Sequence, residues 1–558
     1  MNKFFQNAPT KQIQSFTKFK MAFMKKHYYT ALLLFLLCPP LSILAQNTKP
    51  QHVCGTSMET QELMKQDMLD MRHRYPHGVN MRAIAYIPVW VHNVARTDGT
   101  GRMPMNRVLD MLCEVNRLFM VNNVELRFYI KGVNNVNNSS LYDSPKSFGG
   151  DQSIRRERKT DGLNMYLVSR IPEPDRPTIT VLGYYLNRSS SAEPQYSSDW
   201  LVIAHSEIST GRAVTLAHEL GHGLSLAHTF FGWEDCPFNA TAAVPCAPAT
   251  VSCFVGGTYD VEKSPRTGAG ANCTTAADGF CDTPPDYNFG LLPGATCNYT
   301  GLAKDPNCVA FDVAENNMMS YFTGCETTFS AQQKAAMEAN YTNHAARAYL
   351  RSGNLGPSGA ALVAPTLTAP ANNATTQFFN NFTLAWDAVP NASNYVIEVS
   401  KLASMNAAQV FTANTNFINL NTQSFTAGYL PNGGIRLYWR VKPYNSHSFC
   451  APTSATQSFL TGTVNSVSEL ANISTLEVSP NPLSNRQDLR LSLATEKPFT
   501  AQVKMINLAG QVVRNEKRYF EAGNSVQTLS TQNLSSGLYF LTVETESGIL
   551  NKKVVIQN

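Results

Sequence analysis

Apolar and polar positions change their period several times along the chain, and each change marks a different kind of element. Residues 46–80 are polar; their one regular stretch, Met58–Arg74, has helical spacing, ends at Tyr75-Pro76, and is accompanied by no strand alternation. From Arg82 onward the run AIAYIPVWVHNV predicts a strand, Met105–Phe119 an amphipathic helix, and Val124–Ile130, Leu163–Val168 and Thr180–Leu186 further strands. This alternation describes an α/β domain over 82–350, preceded by a segment over 46–81 that reads as a pro-segment. The texture then turns to Gly, Pro, Ser and Ala, placing a linker at 351–365. Over 366–462 short alternating runs, FTLAWDAV, NYVIEVS and LYWRVKPYN, predict a β-sandwich with Trp386 in its core, Tyr395 on the next strand, and Tyr438 and Trp439 on opposite faces. A second linker at 463–475 leads to a last antiparallel β unit over 476–558, with Gly510 and Gly548 at hairpin turns and a basic final strand carrying Lys552 and Lys553. The fold class expected is therefore multidomain: an α/β domain followed by two all-β sandwich domains.

Length agrees, since 558 residues exceed what one core organises. The formal charge of +5 is misleading, because residues 1–45 hold six lysines and no Asp, Glu or Arg; without them the 45 basic residues fall one short of the 40 acidic ones. No basic footprint for nucleic acid remains. The N-terminal segment reads as a signal peptide over 1–45, with Lys25 and Lys26 before the apolar run Ala31–Leu37 and a small-residue site ending at Ala45; Met24 is an alternative start. A membrane anchor is the rival reading, but the apolar run falls far short of a span of about 20 residues, and no other stretch qualifies. Twelve cysteines become eleven once Cys38 leaves with the signal, so at least one thiol is unpaired. Eight of them crowd between Cys236 and Cys325, which after export predicts a disulfide-stapled, loop-rich region; cysteine-only zinc sites are the rival, but paired C-x-x-C knuckles are missing.

Chemistry is concentrated in TLAHELGHGLSLAHTF at 215–230. On a helix His218 and His222 share one face and can hold one ion, while Glu219 can reach a water on that ion as general base. In an uninterrupted helix His228 would lie about 240° round from His222 and ~9 Å further along the axis. It can join the same ion only if the helix stops near Leu224 and the chain turns back. The long consensus H-E-x-x-H-x-x-G-x-x-H has glycine at that bend; here the position is Ser225, at a cost of about 1–2 kcal/mol for a left-handed L-residue.

Together with ENNMMSYFTGC at 315–325, IPVWVHNV at 87–94, LGYY at 182–185, SDWLVIAHS at 198–206, HTFFG after the third histidine and ADGFCDTPPDYN at 277–288, the motif resembles the pappalysin family of metzincin zinc peptidases. The resemblance implies a metzincin-like catalytic domain with Zn2+ on His218, His222 and His228, and Met319 in a Met-turn beneath them. It also implies Tyr321 as an oxyanion donor, and Gly183, Tyr184 and Tyr185 on an edge strand to which an extended protein or peptide substrate adds itself. Crossed disulfides Cys281–Cys308 and Cys297–Cys325 are implied as well, leaving Cys236, Cys246, Cys253 and Cys273 to pair among themselves. Cys54 in HVCGTS resembles the pro-segment cysteine that blocks zinc in latent relatives, removable by cleavage up to about Arg74 or Arg82; a disulfide with Cys113 or Cys450 is the alternative. Ca2+ near Asp282 is a further expectation from relatives, without an acidic cluster of EF-hand type to support it. Some relatives have an aspartate just before the cysteine that follows the Met-turn and prefer basic side chains; Phe322-Thr323-Gly324 stands here, so that preference is not expected.

Residues 366–462 resemble a fibronectin type III domain, and the blocks VSPNPLSN, INLAGQVV and LSSGLYFLTVETESGILNKKVVIQN resemble the C-terminal sorting domain of type IX secretion substrates of Bacteroidetes. The expectation is a secreted or surface-displayed zinc metalloendopeptidase handled by the type IX machinery, with no transmembrane anchor in the mature chain and no nucleic-acid partner. The alternative is an adhesin that keeps the zinc domain as an inactive scaffold.

Overall fold

The computed structural model describes residues 51–557 apart from 76–78, 80, 82, 174–178, 187–199, 254–256, 352–355, 357–359, 464–472, 485–486, 509–510 and 546–547. The expected signal segment, Met24, Arg82, parts of both linkers and Gly510 lie outside the described residues.

The α/β unit is organised by six strands: β1 (Gln51–Cys54), β2 (Ala85–Ala95), β3 (Leu126–Asn137), β4 (Leu163–Val168), β5 (Ile179–Leu186) and β6 (Trp200–Ala204), in spatial order β1-β5-β6-β4-β2-β3. Every pairing is parallel except β5 with β6. Alternate side chains serve two cores, as the two-residue period requires. Ile87, Val89, Val91, Met165, Leu167, Leu201 and Ile203 pack against helices α1 (Met58–Arg74), α2 (Met105–Val121), α3 (Ala213–Gly223) and α4 (Ala331–Asn343). Val94, Tyr166, Val168, Trp200 and Val202 face the opposite layer with Tyr287, Phe289 and Tyr321. Helix α2 buries Val108, Leu109, Leu112, Val115 and Phe119, the spacing of an apolar stripe. Helix α1 starts where the Ser57 hydroxyl accepts the Thr60 N–H at 3.2 Å and ends with Arg72, His73 and Arg74 in its last turn, both favourable placements.

Strand β1 corrects the reading of 46–80 as strandless. Four residues are too few to show alternation; what makes them a strand is the backbone of β5, on which Gln51, His52 and Val53 pair with Ile179, Thr180 and Val181. In consequence β5, with Gly183, Tyr184 and Tyr185, is not an edge while β1 is in place.

The cysteine-rich stretch holds Cys236–Cys253, Cys246–Cys308, Cys273–Cys281 and Cys297–Cys325. The expected Cys281–Cys308 bond is not formed, and Cys246 and Cys273 find partners outside the group of four. Backbone pairing decides this. Ala247 N–H donates to Lys304 and Lys304 N–H to Pro245, which lays the segment carrying Cys308 beside Cys246, at a Cα separation of 5.0 Å. Turns at Asn272–Gly279 fold Cys273 back onto Cys281.

The next unit packs a three-stranded sheet (Leu367–Ala369, Asn381–Trp386, Phe417–Asn421) on a four-stranded one (Asn394–Ser400, Gln409–Ala413, Arg436–Tyr444, Gln457–Leu460). Trp386 and Trp439 are buried between them, and Tyr438 lies on the other face of its strand. That outer face is fixed to the α/β unit. Cys113 of α2 is bonded to Cys450, Lys442 Nζ sits 2.6 Å from Asp110, Asn106 Nδ2 donates to Glu398 at 2.7 Å, and His447 stacks on Tyr129. The last unit packs a three-stranded sheet on a five-stranded one around Leu491, Val503, Leu541 and Val554, with Gly548 opposite Thr545 at the final hairpin. Among the described residues no helix is long and apolar enough to cross a membrane.

Candidate metal centre

The bend that His228 requires is built at the C-terminus of α3. Ser225 has φ of 70°, and around it Leu226 N–H donates to Gly221 and Ser225 N–H to His222, the paired bonds of a Schellman motif. The serine hydroxyl accepts from Asn340 Nδ2 at 2.6 Å, so the residue that replaces glycine is held by its own side chain. The chain then reverses and presents His228 to the helix face that carries His218 and His222.

The three rings meet edge to edge. His228 Nε2 lies 3.1 Å from His218 Nε2 and 3.2 Å from His222 Nε2, and Cys54 Sγ is 3.5 Å from His222 Nε2. Around one tetrahedral zinc-sized ion nitrogen donors would stand about 3.3 Å apart and nitrogen and sulfur about 3.6 Å apart. The four donors, all within 4.8 Å of one another, therefore fit such an ion. Their outer partners orient them the same way: His218 Nδ1 points at Met318 O at 2.8 Å and His222 Nδ1 at Leu226 O at 2.7 Å. A ring that donates from Nδ1 keeps its Nε2 lone pair for a ligand. His228 Nδ1 faces Glu234 Oε1 at 3.6 Å. Burial pushes His218 down to about 4, and burial with the neighbouring imidazoles pushes His222 and His228 well below their usual value, so all three are neutral donors near pH 7.

Glu219 is fully buried, which raises its carboxyl to about 8; its Oε2 accepts from the Thr56 hydroxyl at 3.4 Å. It lies close against β5 at Gly183, where a Cβ would sit a tight 3.0 Å from Glu219 Cγ and Oε1. Beneath the rings, Met319 packs so tightly on α3 that a Cβ at Gly221 would be 2.6 Å from its sulfur. The Tyr321 ring centroid is 4.9 Å from that of His228.

Residues 51–61 lie across this centre. Cys54 is the one free cysteine among the described residues, and Cys113–Cys450 removes the disulfide alternative for it. Burial, then the charge of Glu219, pushes its thiol well above the usual range. Tyr321 Oη accepts from Cys54 N–H at 3.0 Å and lies 3.2 Å from Cys54 O. Gly183 O accepts from Gly55 N–H, and Tyr185 N–H donates to the Thr56 hydroxyl, so the β5 backbone near the centre is already engaged. Gln61 Oε1 accepts the N–H of His228 at 3.2 Å. Thr56, Gln61, Asn340 and Glu234 were not singled out from the sequence; of these only Thr56 had a signal, its place two residues after Cys54. Asp282 accepts from the Ser330 hydroxyl and the Gln332 N–H at the start of α4.

A family model described as a secretion system C-terminal sorting domain matches residues 477–557. The chain is thus marked for type IX export through the outer membrane. No curated protein matches it. Among solved structures, a mutant of promirolysin from Tannerella forsythia is similar at 15% identity, covering 54% of this chain and 97% of that one, with a TM-score of 0.35.

Proposed function

We propose that the chain is a secreted zinc metalloendopeptidase of the metzincin kind, pappalysin-like in its motifs, and that residues 46–81 keep it latent. The observation that carries the reading is the convergence of three neutral imidazoles from a bent backbone, with the buried Glu219 carboxyl one residue along α3 from the first of them. His218, His222 and His228 would hold a zinc ion, which would supply Lewis acidity to a bound water and to the scissile carbonyl. Beside a bound cation, whose charge opposes the burial that raises its carboxyl, Glu219 would be ionised, take the proton from the attacking water and deliver it to the leaving amine. The Tyr321 hydroxyl donates to the carbonyl oxygen as it gains charge. Substrate takes the place of β1, pairing with the backbone of Gly183–Tyr185, which selects extended chains irrespective of sequence.

Latency follows from the same contacts. Cys54 supplies the fourth donor, Thr56 bonds to Glu219, Cys54 N–H engages the Tyr321 hydroxyl and Gly55 N–H the Gly183 carbonyl, two groups that substrate would need. The expected result is one zinc per chain and casein cleavage after removal of residues up to Arg74 or Arg82. Glu219→Gln should abolish cleavage with zinc retained, and a chelator should abolish both. A processed protein that holds zinc yet cleaves no protein would favour the adhesin; one that takes up no metal would overturn the site.

A further inference from the structure

We propose that α4 is a positioning strut whose Asn340, through Ser225, holds the backbone bend that delivers the third imidazole, an inference that rests on the metal-site reading above. Helix α4 presents two buried amides two turns apart on one side. Near its start, Gln333 exchanges hydrogen bonds with Asn317 at 2.9 and 3.2 Å, and Asn317 Oδ1 accepts the Met319 N–H at 2.9 Å, so this end grips the turn beneath the rings. Near its other end, Asn340 Nδ2 donates to Ser225 Oγ. Gln333, Asn340 and Ser225 are each at most 1% exposed, so none of these bonds is open to replacement by water from outside.

The grip continues past the bend. Asn340 Oδ1 accepts from Arg347 Nε at 3.1 Å, and Arg347 Nη2 donates to Tyr185 Oη at 3.1 Å. Tyr185 belongs to β5, and its ring packs beside Gly223 in the last turn of α3. One chain of bonds therefore joins the turn after α3, helix α4 and the strand that carries Gly183. The physical need is local: Ser225 has a left-handed backbone that its own Cβ disfavours, and three residues later comes a ligand. Glycine would hold that conformation without help. Serine holds it because its hydroxyl is fastened, and Asn340 is the fastener.

The test uses the full chain loaded with Co2+ alone, whose d–d absorption reports the ligand set, and follows release to a chelator with melting temperature measured in parallel. Asn340→Ala and Ser225→Ala should each release the metal about tenfold faster, within the range for loss of a ligand's supporting partner. They should also weaken the cobalt bands. Ser225→Gly alone should stay within about twofold of the parent, and adding it to Asn340→Ala should restore slow release, because glycine no longer needs the hydroxyl's anchor. Should Asn340→Ala not fold, the comparison of Ser225→Ala with Ser225→Gly carries the same test. A loaded parent with equally retentive Ser225→Ala and Asn340→Ala variants overturns the strut while leaving the site intact, as does a failure of Ser225→Gly to rescue. A parent that binds no Co2+ overturns the site and the strut together.

Discussion

Gly221→Ala offers a sharp examination of the packing under the His218–His222–His228 cluster, because two effects of known size oppose each other there. In an ordinary helix interior the change stabilises by about 1 kcal/mol. Here the new Cβ would lie 2.6 Å from Met319 Sδ and 3.6 Å from Leu226 Cδ1. Ordinary contact needs about 3.5–4.0 Å, so the sulfur must retreat by roughly 1 Å. Met319 is 0% exposed, and overpacking a filled site costs about 1–3 kcal/mol. The net expectation is a loss of about 1 kcal/mol, opposite in sign to the helix-propensity effect. The assay is a double-mutant cycle with Met319→Ala, read as shifts in the denaturant midpoint of the step that unfolds the α/β unit. Met319→Ala alone should cost about 2–5 kcal/mol, and less by at least about 1 kcal/mol when alanine already stands at 221. A Gly221→Ala protein more stable than its parent, or two substitutions that add to within about 0.5 kcal/mol, would falsify the claim that this methionine packs directly under α3.

Gly183→Ala pushes on Glu219 from β5, where its Cβ would meet Glu219 Cγ and Oε1 at 3.0 Å; kcat should drop about tenfold or more with zinc content unchanged, and an unaltered kcat would show the carboxylate is not seated there. Tyr321→Phe should act in two directions, because the hydroxyl holds the Cys54 backbone before processing: proenzyme conversion becomes faster, while kcat of the processed enzyme falls about 100-fold, and a change in only one of the two would refute the shared role. His92, buried between Asn164 and Asn134, is pushed down to about 4 by burial. The unfolded chain binds this proton near the usual value of 6.5, so the residue contributes stability above that pH which drains away as pH falls towards 4, at no more than about 1.4 kcal/mol per pH unit. His92→Gln should remove that much slope from stability measured against pH; an unchanged slope would count against the assignment.

How far the sequence could be read depended on the range of the determining contacts. The helices over Met58–Arg74 and Met105–Val121 announce themselves by spacing, and the need for a bend near Leu224 follows from counting residues between His222 and His228. Ser225 looked like a weakness because its compensation is 115 positions away, in Asn340. Strand β1 was missed for a related reason: its four residues acquire strand geometry from Ile179–Gly183, not from any alternation of their own. Of the two bonds the resemblance implies, Cys297–Cys325 forms and Cys281–Cys308 does not, because likeness of motifs carries no record of backbone pairing. Cys308 is carried to Cys246 by bonds of Lys304 and Ala247 that spacing does not encode. For Cys54 the sequence leaves a disulfide with Cys113 or Cys450 open, and that alternative falls only because those two cysteines find each other across 337 positions.

That long-range sulfur bridge has a practical meaning for a protein sent outside the cell. Residues 218, 222 and 228 and all four of the other disulfides lie between its two ends. A nick at any exposed loop in between opens the polypeptide without parting it, and the two fragments remain one molecule until a reductant is added. Clipped and intact copies would then share a hydrodynamic size, and each severed half would keep its counterpart tethered at high local concentration, ready to reseat.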